Sequence, residues 1–220
     1  MAASNDPYWS LESRVSDEER THLVVVIEEL NRLKEYKEET MYIACSIADR
    51  YIISLAKTNH QPECLMNLAV TAILMAAKME QMIAPSFNRL IKIVHDEWGV
   101  QIFKQDLLDL EEDIIRELDF ELHFPYPILF LERYQRIFGL ENVKKSKDAK
   151  LVNKLARDYC KLFLKESSFL KYKPSVVAAA AFMCALNICQ SSVAPELKMS
   201  KLSGLSKYAF FDSSHSKLDT

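Results

Sequence analysis

Two long apolar segments constrain the fold of this 220-residue chain more than any other feature. The first, CLMNLAVTAILMAAK, follows Pro62, and the second, SVVAAAAFMCALNICQ, follows Pro174. Both are rich in alanine and apolar on nearly every side, which is typical of a helix with neighbours on most faces. Tight hairpins and phosphate-binding loops both need glycine, and the chain has only three, at positions 99, 139 and 204. We therefore predict an all-α protein.

Composition excludes several function classes. Hydrophobic residues make up 49 % of the chain and charged residues 27 %, as in ordinary globular proteins, and the net charge of −3 gives no case for nucleic-acid binding. The apolar segments fall short of the ~18 residues of a membrane span, and MAASNDPYWS is not a usual signal peptide. The five cysteines include no CxxC pair. We expect an intracellular protein with buried free thiols, without a metal, a cofactor or a membrane partner.

Further helices accompany each apolar segment. Ser16 and Glu19 have the spacing of a capping box, which predicts a helix start at Asp17. Pro125 and Pro127 interrupt the helical pattern, and the same order of helices then begins again. Hydrophobic periodicity predicts nine helices, at about Asp17–Lys34, Glu38–Ala56, Glu63–Met79, Ser86–His95, 104–119, Pro127–Phe138, Asp148–Lys165, 174–190 and Glu196–Leu205.

The repeated order indicates a duplicated helical unit. An amphipathic helix, a second helix and an alanine-rich helix introduced by a proline occur twice, about a hundred residues apart, a period too long for a solenoid. The predicted organisation is a lead over 1–16, a complete unit over 17–124, a unit abbreviated at its C-terminus over 125–205, and a polar tail over 206–220. No strong fifth helix follows Leu205.

Several of these segments, in order, resemble the cyclin family. MYIACSIADRYIIS resembles the second helix of a cyclin box, AVTAILMAAKMEQMIAPSFNRLI the third and fourth, and LEEDIIRELDFEL the fifth. FLKYKPSVVAAAAFMCALNI is similar to the second cyclin fold of the mitotic A/B-type group. The resemblance covers about residues 17–205. It implies a non-enzymatic regulatory subunit, nuclear and cytoplasmic, that activates a cyclin-dependent protein kinase by moving the mobile helix of its small lobe.

The resemblance also implies which residues contact the kinase. Lys78 and Glu111 match a pair that family members direct at the kinase, and we expect the two side chains to lie close together. The alternatives are a lysine favourable at a helix C-terminus and a solvated acid beside Glu112 on an acidic face. Ile115 and Phe120 match apolar contact positions, with core packing as the alternative. Met79 replaces a residue that is usually aromatic.

Two other sets of residues match the family differently. Arg20 and Asp49 match an internal salt bridge that joins the first helix to the second. Asp49 lies in an apolar helix, so it needs a partner, and the adjacent Arg50 is the rival. The family's substrate-docking patch for Arg-x-Leu peptides is degenerate, because its usual residues are replaced by Glu19, Val26 and Met66, although the acid at Glu29 remains.

Three alternative functions stay open in the sequence. A cyclin-fold adaptor that binds DNA or protein would need a basic stripe, for which Lys144, Lys145, Lys147 and Lys150 are the candidates. Glu19 and His22 have the spacing of half a di-iron motif. Asp106, Asp109 and Asp113 could bind magnesium, but no opposing acidic helix is apparent.

Overall fold

The structure, a computed structural model, describes residues 15–83, 85–137 and 147–189. This part of the chain contains no β-strand. It contains a 3₁₀ turn at Ser167–Phe169 and eight α-helices: α1 (Asp17–Leu33), α2 (Glu38–Lys57), α3 (Leu65–Glu80), α4 (Phe87–Trp98), α5 (Lys104–Glu117), α6 (Pro127–Ile137), α7 (Lys147–Lys165) and α8 (Pro174–Ile188). The prediction of an all-helical fold is thus confirmed. The predicted helix at Glu196–Leu205, and with it the abbreviated end of the second unit, lies outside the described residues.

The first of two compact units comprises Met1–Phe124 and the short segment Leu164–Lys171. Its centre is the packing of α2 against α3, and α3 also packs against α1 and α5. Every residue of α3 from Leu68 to Ala77 is buried, as its apolar sequence predicts. α4 and α5 are amphipathic, and their few fully buried side chains include Leu90 on α4 and Ile114 on α5. The apolar helix α3 therefore organises this unit.

The start of α1 follows from its sequence. Ser16 Oγ accepts a hydrogen bond from the Glu19 N–H at 3.2 Å, and the Glu19 carboxylate accepts one from the Ser16 N–H at 2.8 Å. These bonds satisfy two backbone donors that a helix N-terminus otherwise leaves unpaired. The backbone bond from Ser16 lowers the pKa of Glu19. The capping box predicted from the sequence is present.

The second unit comprises Pro125–Phe163 and Tyr172–Thr220. Its main described packing is between α6 and α8. Pro174 is in the first turn of α8, where a missing N–H costs no hydrogen bond. The Tyr134 hydroxyl on α6 donates to the Ser175 carbonyl at 3.1 Å and joins the two helices. Helix α7 belongs to this unit as far as Phe163 and to the first unit from Leu164 onward.

The cysteines follow the expectation only in part. All five are free, and Cys45, Cys160 and Cys189 are buried. Burial raises the pKa of the Cys45 thiol, so this group is a structural thiol. Cys64 is exposed, because it lies in extended backbone before the first turn of α3 rather than inside the helix.

Candidate functional site

Lys78 and Glu111 are brought together by the packing of α3 against α5. The Lys78 ammonium is 2.5 Å from one oxygen of the Glu111 carboxylate and 2.6 Å from the other. The side chain of Lys78 is 37 % exposed and that of Glu111 16 % exposed, so the pair lies at the surface with the carboxylate the more enclosed member. The structure has the proximity that was predicted.

Aromatic and polar neighbours fix this corner of the unit. The Lys78 ammonium is 5.1 Å from the centroid of the Phe87 ring, and Lys104 approaches the same ring at 5.5 Å. Gln81, directly after α3, donates to the buried Thr40 hydroxyl at 2.7 Å. These contacts hold the end of α3 and the start of α4 around the ion pair.

Apolar side chains that are at least partly exposed occur on α3, on α5 and directly after α5. Met79 is 40 % exposed and Phe120 is 78 % exposed, whereas Ile115 is half-buried. Core packing, one of the two interpretations of Phe120, is wrong because its ring lies largely in solvent. Large exposed apolar side chains next to polar groups are typical of a protein-binding surface.

Three residues of this surface were missed by the sequence analysis. Met82 and Ile83, in the link between α3 and α4, are 100 % and 83 % exposed, and Leu108 on α5 is 37 % exposed. Leu108 is three residues before Glu111 and seven before Ile115, so the helical period places all three on one face. This spacing could have predicted that Leu108 belongs to the surface. For Met82 and Ile83, the signal in the sequence was a pair of apolar residues between two predicted helices.

Arg20 and Asp49 form a buried ion pair between α1 and α2. Two parallel hydrogen bonds of 2.9 Å join Arg20 Nε and Nη2 to the carboxylate oxygens of Asp49. Arg20 is fully buried and also donates to the Leu164 carbonyl at 3.0 Å and the Lys165 carbonyl at 3.2 Å. This geometry is the bidentate arrangement that makes a buried charge tolerable.

Burial and charge act in opposite senses on this pair. Burial raises the pKa of the Asp49 carboxyl, while the charge and hydrogen bonds of Arg20 act to lower it. Burial by itself lowers the pKa of Arg20, but the charge and hydrogen bonds of Asp49 outweigh it and hold that pKa above its usual value. The rival partner, Arg50, instead places its guanidinium 3.7 Å from the centroid of the Phe124 ring.

The aligned docking-patch positions differ in exposure. Val26 is 2 % exposed, so it offers no apolar surface, and Glu19 is held in the capping box. Met66 is half-buried, and Glu29 pairs with Arg32 on its own helix.

The alternative functions gain little from the described residues. Among them, no three histidine, cysteine or acidic side chains are grouped closely enough to hold a metal ion. None of the described helices is both long and apolar enough to cross a membrane. Lys144 and Lys145, half of the candidate basic stripe, lie outside the described residues.

Curated relatives of this chain are A- and B-type cyclins at modest identity. The G2/mitotic-specific cyclin-B3 of Gallus gallus is 26 % identical over 181 residues, which are 82 % of this chain and 41 % of the relative. Cyclin-B2-1 of Oryza sativa subsp. japonica is 28 % identical over 86 % of this chain and 42 % of its own length. Cyclin-A1 of Homo sapiens is 29 % identical, with 81 % of this chain and 35 % of the relative covered. The chain thus spans about two fifths of the length of such relatives.

Solved structures share the fold at lower identity. A viral cyclin from herpesvirus saimiri matches with a TM-score of 0.70 and 17 % identity, over 94 % of this chain and 85 % of its own. A chain of the CAK complex of Chaetomium thermophilum bound to ATP-gamma-S matches with a TM-score of 0.61 and 15 % identity, over 90 % and 56 %.

Family models account for both helical units. The model of the cyclin N-terminal domain matches residues 2–123, and that of the cyclin C-terminal domain matches residues 125–215. The predicted tandem of two cyclin units is confirmed, and the chain belongs to the cyclin family.

Proposed function

We propose that this protein binds and activates a cyclin-dependent protein kinase in cell-cycle control. The observation that carries the proposal is the ion pair of Lys78 and Glu111, together with the exposed side chains of Met79 and Phe120 and the half-buried side chain of Ile115. One relative described above is named G2/mitotic-specific cyclin-B3 and another is named cyclin-A1, and these names support a cell-cycle role. A location in the nucleus and cytoplasm is part of the same proposal.

The ion pair is suited to hydrogen-bond a partner's backbone. An ammonium has three donors, and the two Glu111 oxygens occupy only one side of it. The carboxylate retains lone pairs for N–H groups, and its position is fixed before the partner arrives. A fixed polar group binds more tightly than a mobile one, because less side-chain entropy is lost on association.

The apolar side chains supply the packing surface. Met79 follows Lys78 in the sequence, and Ile115 and Phe120 lie C-terminal to Glu111; burial of an apolar side chain contributes about 1.5–3 kcal/mol. Binding that favours the active position of the kinase's mobile helix shifts the kinase toward its active state. In this mechanism the kinase performs phosphoryl transfer, and the present chain acts only as its regulatory subunit.

The experiment is a pull-down of cyclin-dependent kinases, followed by a phosphorylation assay with purified components. The double variant Lys78→Ala/Glu111→Ala should lose activation by at least about tenfold, the effect of ~1.4 kcal/mol of binding. Its far-UV circular dichroism should not change, because surface ion pairs contribute only about 0–1 kcal/mol to folding.

The matched control removes a different surface ion pair from α5. Glu112 and Arg116 are joined at 2.6 Å and lie mostly in solvent. Glu112→Ala/Arg116→Ala should activate the kinase normally. If the two double variants activate equally, or if the control alone fails, the proposed interface is wrong.

A further inference from the structure

The chain reversal after α5 places Phe120 in an unfavourable backbone conformation. Asp119 has φ +50° and Phe120 φ +62°, both in the left-handed region that L side chains rarely adopt. The Asp119 N–H donates to the Arg116 carbonyl at 3.2 Å, and the Phe120 N–H to the Ile115 carbonyl at 3.0 Å. These bonds form a Schellman motif, which usually has glycine at its left-handed position. Such strain persists only when surrounding contacts hold it.

Two side chains of α2 hold the chain on both sides of Phe120. Ser54 Oγ donates to the Glu117 carboxylate at 2.6 Å, before the reversal. After the reversal, Arg50 Nη1 donates to the Glu121 carbonyl, and the Arg50 guanidinium lies 3.7 Å from the centroid of the Phe124 ring. Residues 50 and 54 are one helical turn apart, so one face of α2 contacts the chain between Glu117 and Phe124.

We propose that Arg50 is a positioning residue for Phe120: its contacts with Glu121 and Phe124 keep the exposed ring in the place where a partner kinase buries it. This inference rests on the proposed function, and it assigns Arg50 a role that differs from pairing with Asp49. Arg20 already occupies Asp49 with two hydrogen bonds, while Arg50 is directed at a carbonyl and an aromatic face.

The energetic role of Arg50 is to suppress relaxed conformations. Without its contacts, residues 119 and 120 can return to negative φ, which moves the Phe120 ring away from its present position. The apparent affinity for a partner falls by the fraction of molecules that still present the ring correctly. Relief of the strain at one residue corresponds to about a 5- to 30-fold loss of kinase affinity.

The first measurement uses the isolated full chain. Amide hydrogen exchange at residues 119–122 should become faster in Arg50→Ala, while exchange within α3 stays unchanged. Arg50→Lys should restore protection only in part, because lysine can donate a hydrogen bond but has no planar group to stack on Phe124. Phe124→Leu, which removes the ring and keeps the arginine, should resemble Arg50→Lys and serves as the second variant if Arg50→Ala does not fold.

The second measurement is the affinity for the kinase retained in the pull-down. Arg50→Ala should weaken binding about 5- to 30-fold, and the same substitution in a Phe120→Ala background should have almost no further effect. In a Lys78→Ala background the loss should persist undiminished. An equal loss with and without Phe120, or unchanged exchange and affinity in Arg50→Ala, would overturn the assignment.

The two proposals fail in distinguishable ways. If Lys78→Ala weakens kinase binding but Arg50→Ala does not, only the positioning role is wrong. If the wild-type chain binds no kinase, the proposed function is wrong, and hydrogen exchange alone decides whether Arg50 holds Phe120.

Discussion

Removal of either member of the buried pair Arg20–Asp49 should destabilise the first unit, but with different dependences on pH. The Asp49→Asn substitution leaves the Arg20 guanidinium fully buried without a counter-charge, and a guanidinium cannot lose its proton in a protein. Loss of one partner from such a pair costs about 3–5 kcal/mol. We expect this loss of unfolding free energy at every pH at which the protein folds.

The Arg20→Met substitution leaves a buried carboxyl, which can escape its charge by binding a proton. Burial already raises the pKa of Asp49, and the opposing effect of Arg20 is removed in this variant. The folded variant then binds a proton that the unfolded chain, with an ordinary pKa of about 3.9, releases. Its stability therefore falls as pH rises through this window and recovers by up to about 1.4 kcal/mol for each pH unit lowered.

Urea unfolding of both variants between about pH 7 and pH 5 provides the measurement. Far-UV circular dichroism and the fluorescence of Trp98, which ends α4 in the first unit, report the transition. Relative to wild type, Arg20→Met should become less destabilised as pH falls, and Asp49→Asn should not. A double variant, Arg20→Met/Asp49→Leu, should be more stable than either single variant because no uncompensated charge remains.

The reasoning is refuted by parallel pH dependences of the two single variants. A loss below about 1 kcal/mol in Asp49→Asn would also refute it, since that is the range of an exposed pair.

Two further predictions concern α1. Glu19→Gln should lower stability near neutral pH, and the stability difference between this variant and wild type should shrink from about pH 6 to about pH 3. The reason is that folding lowers the pKa of Glu19. The stabilisation by its carboxylate is therefore present above the unfolded-state pKa and is lost as pH falls through the folded-state pKa. A difference that stays constant in pH-dependent thermal unfolding would contradict this. A fluorescent Arg-x-Leu peptide should show no low-micromolar anisotropy change with this protein, because the buried Val26 offers no apolar surface; low-micromolar binding would show that the docking patch is functional.

Local sequence signals predicted most of the helices, and their limits are physical. The Ser16 capping box gave the start of α1 because both bonding side chains lie within one turn. The start of α3 was predicted two residues too early, because Cys64 provides no capping side chain to mark it. α4 continues to Trp98, three residues beyond its predicted end, and Gly99 in the left-handed conformation follows it.

The candidate site, like the helices, was only partly predictable from the sequence. The proximity of Lys78 and Glu111 came from the family resemblance, since hydrophobic periodicity carries no information on which polar residues meet across two helices. Phe120 lies in a turn with two residues in the left-handed conformation, Asp119 and Phe120 itself. Neither is a glycine, so the sequence did not predict this turn. Arg50 contacts a carbonyl 71 residues away, a relationship to which no local pattern points.

The carbonyl groups of Leu164 and Lys165, which accept hydrogen bonds from Arg20, have a consequence for biosynthesis. During translation, Arg20 and Asp49 emerge from the ribosome long before residue 165 is added to the chain. Until then the guanidinium can reach its carboxylate but not the two carbonyls that complete its hydrogen bonding. The first cyclin unit therefore acquires its full set of buried contacts only after the segment Pro125–Phe163 of the second unit has been synthesised.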